Sequence, residues 1–175
     1  MNFSIIVALD QKRGIGINNK LPWNIKADLK HFSDITINPS NDKQNVVIMG
    51  RKTWESLPQS RQPLPQRLNI VLSKQTDLSL PPNVLLYSSL NRALIALEER
   101  KKEIKEIFII GGGKLYAETI YHPQCSKIYI TQILQTFPCD TFFPEIPKNF
   151  KKIEESEIQE ENKIKFRFIV YEKSN

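Results

Sequence analysis

Two cysteines and two histidines in 175 residues leave little material for a metal centre or a disulfide framework. Cys125 and Cys139 have no CxxC spacing, so free thiols in a reducing cytoplasm are the expected state. Long apolar runs are also missing. None reaches membrane length, and the start MNFSIIVALDQ lacks a signal-peptide pattern. There is no internal repeat and no low-complexity segment. The net charge is +6, but no basic stretch is interleaved with aromatics, so a single-strand nucleic-acid binder is not expected. The densest basic cluster, EERKKEIK (98–105), alternates in sign and reads as a solvated helix end.

What is present fits one globular domain of 175 residues with a sizeable core. Apolar runs of strand length recur at 3–9, 45–50, 68–73, 83–88, 106–112 and 127–133. They are rich in Ile and Val and apolar on both faces. Helical candidates lie between them at 24–35, 51–57, 90–102 and 114–121. Strand alternating with helix predicts an α/β fold with a largely parallel sheet. At the end, 151–159 and 163–173 flank EEN, a hairpin turn. Phe166, Phe168 and Val170 alternate with Lys165, Arg167 and Ile169, as in an antiparallel strand with one wetter face.

The helix in KLPWNIKADLKHFSDI (20–35) poses a chemical question. Pro22 breaks what precedes it, and Asn24 can serve as N-cap. At about 100° per residue, Ile25, Leu29, Phe32 and Ile35 share an arc, and Asp28 lies inside it. A buried carboxylate needs a partner or takes up a proton. Asp28 therefore has a partner in the protein, faces a cavity that holds one, or sits at the rim enjoying the helix dipole.

Three strand-to-helix junctions suit an anion. FIIGGGKLYAETI (108–120) ends a buried strand in three glycines that let a ligand approach the backbone. VVIMGRKTWESL (46–57) places Arg51 and Lys52 in a first helical turn, where they oppose the dipole unless an anion faces them. LNIVLSKQ (68–75) puts Ser73 and Lys74 at a strand end, where parallel sheets bind ligands. Together they suggest a nucleotide with several phosphates. Other patterns fail. GIGINN (14–19) has Asn19 in place of the third glycine of a dinucleotide fingerprint, and Leu21-Pro22 follows in place of a helix. The Walker spacing is absent too. DQKRGIGINNKLPW reads as a long flexible loop, a candidate lid or an ordinary surface loop.

These pieces together resemble the dihydrofolate reductase family over nearly the whole chain. The carrying motifs are GIGINNKLPW (14–23), ADLKHF (27–32), VVIMGRKTWESL (46–57), RQPLPQR (61–67), NIVLS (69–73), FIIGGGKLY (108–116), IYIT (128–131) and CDTFFPEI (139–146), in family order. The resemblance implies a single domain with a central, mostly parallel eight-stranded sheet, an antiparallel C-terminal strand and four flanking helices, with an adenosine-binding subdomain at about 45–105. It implies NADPH-dependent reduction of dihydrofolate to tetrahydrofolate, by hydride transfer to C6 with N5 protonated, in a cytoplasmic monomer.

By the same resemblance, Asp28 would hydrogen-bond the pterin ring nitrogen and exocyclic amine, and would have a pKa raised by desolvation. Thr131 would bond Asp28, Trp23 would help hold a water, and Leu21 would border the reacting centre. Ile6, Val7, Leu29, Phe32, Leu57, Leu64 and Ile110 would contact the substrate. Arg67 would pair with its α-carboxylate. Val7, Ala8, Ile15, Gly16, Leu21, Leu115 and Tyr116 would lie along the cofactor near the nicotinamide. Gly50, Lys52, Thr53, Gly111, Gly112, Gly113 and Lys114 would take the pyrophosphate region. Arg51, Leu72, Ser73 and Lys74 would surround the 2′-phosphate. The Gly111–Gly112 bond is cis in the family. No metal is implied.

Some residues depart from the family pattern. The helix acid is Asp, as in bacterial, plant and protozoal forms, and not the Glu of animals. An insertion within 51–67 looks like the plant and protozoal type. Gln66 replaces the usual glycine before the arginine. Cys139 replaces a common glycine in the loop that contacts the lid. His31 reads as a rim residue. Two further readings are a non-catalytic nucleotide binder on the same scaffold and a related-fold reductase of a riboflavin precursor. Neither needs the Asp28, Trp23 and Arg67 set.

Overall fold

The computed structural model describes residues 1–40 and 42–174. Among the described residues, eleven strands and four α-helices follow in order: β1 (Phe3–Leu9), β2 (Gly14–Gly16), α1 (Lys26–Thr36), β3 (Gln44–Gly50), α2 (Arg51–Ser56), β4 (Arg67–Leu72), β5 (Val84–Tyr87), α3 (Leu90–Glu99), β6 (Ile104–Gly111), α4 (Gly113–Thr119), β7 (Cys125–Ile133), β8 (Thr141–Phe142), β9 (Phe150–Glu155), β10 (Gln159–Glu161) and β11 (Ile164–Lys173). The main sheet runs β10-β11-β7-β1-β6-β3-β4-β5, and β9 also pairs with β11. β10 bonds the start of β11 and β9 its end, so they share the outermost of eight positions. Pairings from β7 to β5 are parallel, and those of β11 are antiparallel. β2 and β8 form a small second sheet.

Period-two alternation of apolar side chains covers both faces of this sheet. Ile5, Val7, Val46, Ile48, Ile107 and Ile109 face the layer that holds Leu90, Ala93, Leu94 and Leu97 of α3 and Leu115 of α4. Ile6, Val47, Met49 and Phe108 face the other side, with Trp54 of α2 and half-buried Phe32 and Ile35 of α1. Burial of each large side chain contributes about 1.5–3 kcal/mol.

Five sequence expectations need correction. Asn24 does not cap α1. The N-cap is Ile25, which has no side-chain acceptor, and the free N–H groups go to Glu161 instead. The third helix stops at Glu99, because beyond Leu97 no apolar residue docks until Ile104 and the charged side chains pair with one another. The stretch 151–159 is two strands, since Ser156 bonds both the carbonyl and, through Oγ, the amide of Phe168 and breaks the ladder. The hairpin turns at Asn162–Lys163, both at positive φ. β11 has no simply wet face either, as Ile169 is buried along with Phe166.

Candidate active site

Strand order brings the chemistry to one edge. The carboxyl ends of β1, β6, β3 and β4 lie side by side, with Met49 paired to Gly111 and Gly50 to Leu72. Next to β1, β7 sets Thr131 opposite Ala8 on one side and Phe168 on the other. α1 crosses this edge and carries Asp28 to Thr131, whose hydroxyl donates to Asp28 Oδ1 at 2.6 Å.

Asp28 lies in a cavity of about 100 Å³ lined by Leu21, Trp23, Asn24, Ile25, Asp28 and Leu29. Burial pushes its carboxyl above the ordinary range, and the Thr131 hydrogen bond opposes this more weakly. The apolar arc of α1 is thus split. Ile25 is 1% exposed, while Leu29, one turn on, is 53% exposed at the cavity mouth. Trp23 is buried, packs edge-on against Phe137, and has an indole N–H without a hydrogen-bond partner among the described residues. Leu21 is exposed at the rim. Behind the carboxylate, the buried Tyr116 hydroxyl donates to the Ile6 carbonyl at 2.8 Å. That engages one lone pair of the carbonyl and leaves the other free. Burial, then the nearby Asp28, raises the Tyr116 pKa.

Farther along the cleft, Arg67 is 5% exposed, with Nε on the Pro65 carbonyl at 2.9 Å and a terminal nitrogen on Thr36 Oγ1 at 2.7 Å. Its guanidinium stands 5.6 Å from the centre of the Phe32 ring. No carboxylate pairs with it among the described residues, and burial, with Arg61 nearby, lowers its pKa to about 10. Leu64 is buried beneath this part of the cleft, with Leu57 half-buried beside it. His31 stacks on Phe168 with ring centres 3.7 Å apart, at the rim as its sequence suggests.

The glycine junction is built for close approach. Gly111 has φ of +147°, and a side-chain carbon there would stand 2.8 Å from Thr53 Oγ1. The Gly111–Gly112 bond is cis. Gly113 backs onto Thr141, and Gly50 onto Gly111 and Gly112. Around this cradle, Lys52, Lys74 and Lys114 are exposed, and Arg51 pairs with Glu55 at 2.6 Å. Ser73 Oγ accepts from the Gln75 amide. The side chains of Val7, Ile15 and Leu115 point into the core, so at Leu115 the backbone alone can meet a ligand. Ile110, Ala8, Gly16 and Leu72 are half-buried along the same edge.

Residues 10–23 close over the edge through definite bonds. Asp10 accepts from the amides of Lys12, Gly14 and Phe137. Asn18 donates to Asp140, and Asn19 to the Lys52 carbonyl. Asp10, Glu161 and the β2–β8 pair were not found by sequence reasoning. A carboxylate directly after an apolar run was the one available sign of Asp10.

A mixed sheet with a half-buried carboxylate in a side cleft, and a glycine cradle flanked by lysines at the strand ends, has the form of an enzyme site for a small molecule beside an anionic nucleotide. A family model described as dihydrofolate reductase matches residues 2–173. The chain is 47% identical to the dihydrofolate reductase of Drosophila melanogaster over 99% of its length and 98% of that protein's, and 42% identical to that of Sus scrofa over 97% of each. The solved Schistosoma mansoni dihydrofolate reductase superposes with a TM-score of 0.86 at 38% identity, covering 98% of both chains. This chain belongs to the dihydrofolate reductase family.

Proposed function

We infer that the chain reduces 7,8-dihydrofolate to 5,6,7,8-tetrahydrofolate with NADPH, and that the Asp28 cleft is where it does so. The observation that carries the site assignment is one small cavity lined by a half-buried carboxylate, bonded to Thr131 at 2.6 Å, and by Trp23, whose buried indole N–H has no partner among the described residues. When bound, NADPH would supply the hydride for C6. The chain binds, orients and protonates. Asp28 accepts from the pterin ring nitrogen and exocyclic amine, and the Thr131 hydroxyl fixes its rotamer. Protonation of N5 is favoured by Asp28 through a water held by Trp23 Nε1. Ile6 and Ile110 offer carbonyls, Val7 and Leu29 flank the pterin, and Phe32, Leu57 and Leu64 pack the benzoyl ring. Arg67, a preformed fork without an internal carboxylate, suits the α-carboxylate of the glutamate tail.

The strand-end cradle fits a dinucleotide, because side chains at Gly111 or Gly113 would fill it. Gly50, Lys52, Thr53, Gly111–Gly113, Lys114 and the Leu115 amide would hold the pyrophosphate. Arg51, Leu72, Ser73 and Lys74, within the adenosine subdomain at about 45–105, would hold the 2′-phosphate. Ala8, Ile15, Gly16, Leu21 and Tyr116 would border the nicotinamide. The two free thiols, Cys125 and Cys139, fit a reducing cytoplasm, where the chain would act as a monomer.

The test is NADPH oxidation with dihydrofolate for wild type and Asp28→Asn. Wild type turns over. The variant keeps its fold and loses about 10²–10⁴ in kcat/KM, the usual size of a removed acid–base contribution. An Asn variant with near wild-type turnover overturns the role of Asp28.

A further inference from the structure

We propose that Glu161, in the β10–β11 hairpin, is a positioning residue that fixes the start of α1 and through it the seat of Asp28. This rests on the reading of Asp28 as the substrate-binding carboxylate. The first N–H groups of a helix need partners. Ile25 has none to offer, and Lys26 and Ala27 donate instead to the two carboxylate oxygens of Glu161, at 2.7 and 2.9 Å. Asn162 donates to the Asn24 carbonyl at 3.2 Å. Ala27 is the residue before Asp28.

An ordinary N-cap ties a helix only to itself. A cap supplied across 134 residues ties the helix to the sheet. The same hairpin continues into β11, where Phe168 pairs with Thr131, the hydroxyl partner of Asp28. His31, three residues after Asp28, stacks on that Phe168. Both ends of the Asp28–Thr131 hydrogen bond are therefore fastened to one strand pair, at the helix start by Glu161 and one turn on by Phe168. Displacing the start of α1 moves Asp28 against a partner that stays with the sheet. The two backbone bonds also hold the Glu161 carboxyl below its usual range, so it remains an ionised acceptor at the positive end of α1.

The experiment compares wild type, Glu161→Gln and Glu161→Ala by steady-state kinetics in both substrates, by Tm, and by amide hydrogen exchange in the first turn of α1. Glu161→Ala is expected to lower kcat/KM for dihydrofolate about tenfold, the scale of a sub-ångström misplacement, with KM for NADPH unchanged. Glu161→Gln keeps one acceptor oxygen and falls between the two. Exchange at Lys26 and Ala27 rises in the same order. A loss of Tm with dihydrofolate kinetics unchanged, or an equal loss toward both substrates, overturns the proposal. Should Glu161→Ala not fold, the Gln variant decides by the same criteria. An inactive wild type overturns the site reading and this proposal together, whereas an active wild type with unaffected variants overturns this proposal alone.

Discussion

Gln66 holds φ of +61°, a left-handed conformation that costs an L side chain about 1–2 kcal/mol relative to glycine. It is kept there by the turn that feeds Arg67 into β4, where Arg67 Nε bonds the Pro65 carbonyl and Asn69 bonds the backbone of Leu64 and Arg67. Glycine would relieve the strain but gain freedom in the unfolded chain, an offset of about 0.4–1 kcal/mol. Gln66→Gly is therefore expected to raise stability by about 0.5–1 kcal/mol, read as a higher urea midpoint at unchanged m-value. A lower midpoint would show that the turn is not strained. This position is legible only through the family resemblance, which sets a glycine where Gln66 stands. The cap of α1 is not. Asn24 is the right residue type in the right place, yet Glu161 wins because the hairpin fold carries it there, and short-range spacing holds no trace of that contact.

At the scale of elements, strands and helices with continuous apolar patterns were readable to within a few residues, and the small sheet β2–β8 was not. Three residues facing two cannot show a period. What holds them is side-chain chemistry: Asp10 gathers amides from both loops, and Gly14 leaves room for Cys139. A side-chain carbon on Gly14 would stand 2.5 Å from Cys139 Sγ and 2.7 Å from its Cβ, which neither loop can ignore. Gly14→Ala is expected to cost about 1–3 kcal/mol, as overpacking does. Replacing Cys139 by glycine removes both clashing atoms. The double variant Gly14→Ala with Cys139→Gly should then recover most of the loss, giving a favourable coupling of about 1 kcal/mol or more in a double-mutant cycle by urea unfolding. Additive effects would mean that the two loops do not pack as described.

The whole molecule places its candidate site where the core is interrupted. The sheet is sealed on both faces by apolar layers, and the cleft opens where α1 carries a carboxylate along its inner arc. Such a group destabilises the fold whenever it is charged. The sign follows from linkage. Burial raises the Asp28 pKa in the folded chain above its ordinary 3.8. Between those two values the folded state binds more protons than the unfolded, so stability falls as pH rises through that window. Below the lower value both states are protonated, and the penalty is gone. Asp28→Asn has no charge to desolvate. Its stability relative to wild type should therefore increase as pH rises from about 4 toward neutrality and level off above the raised pKa, while its turnover collapses. Urea unfolding of both proteins at matched pH values measures this directly. A stability difference independent of pH would mean that Asp28 is solvated well enough to ionise freely. The acid helix would then lie at the rim of the cleft, and its burial could no longer explain how a carboxylate in an apolar arc serves a proton-demanding reduction.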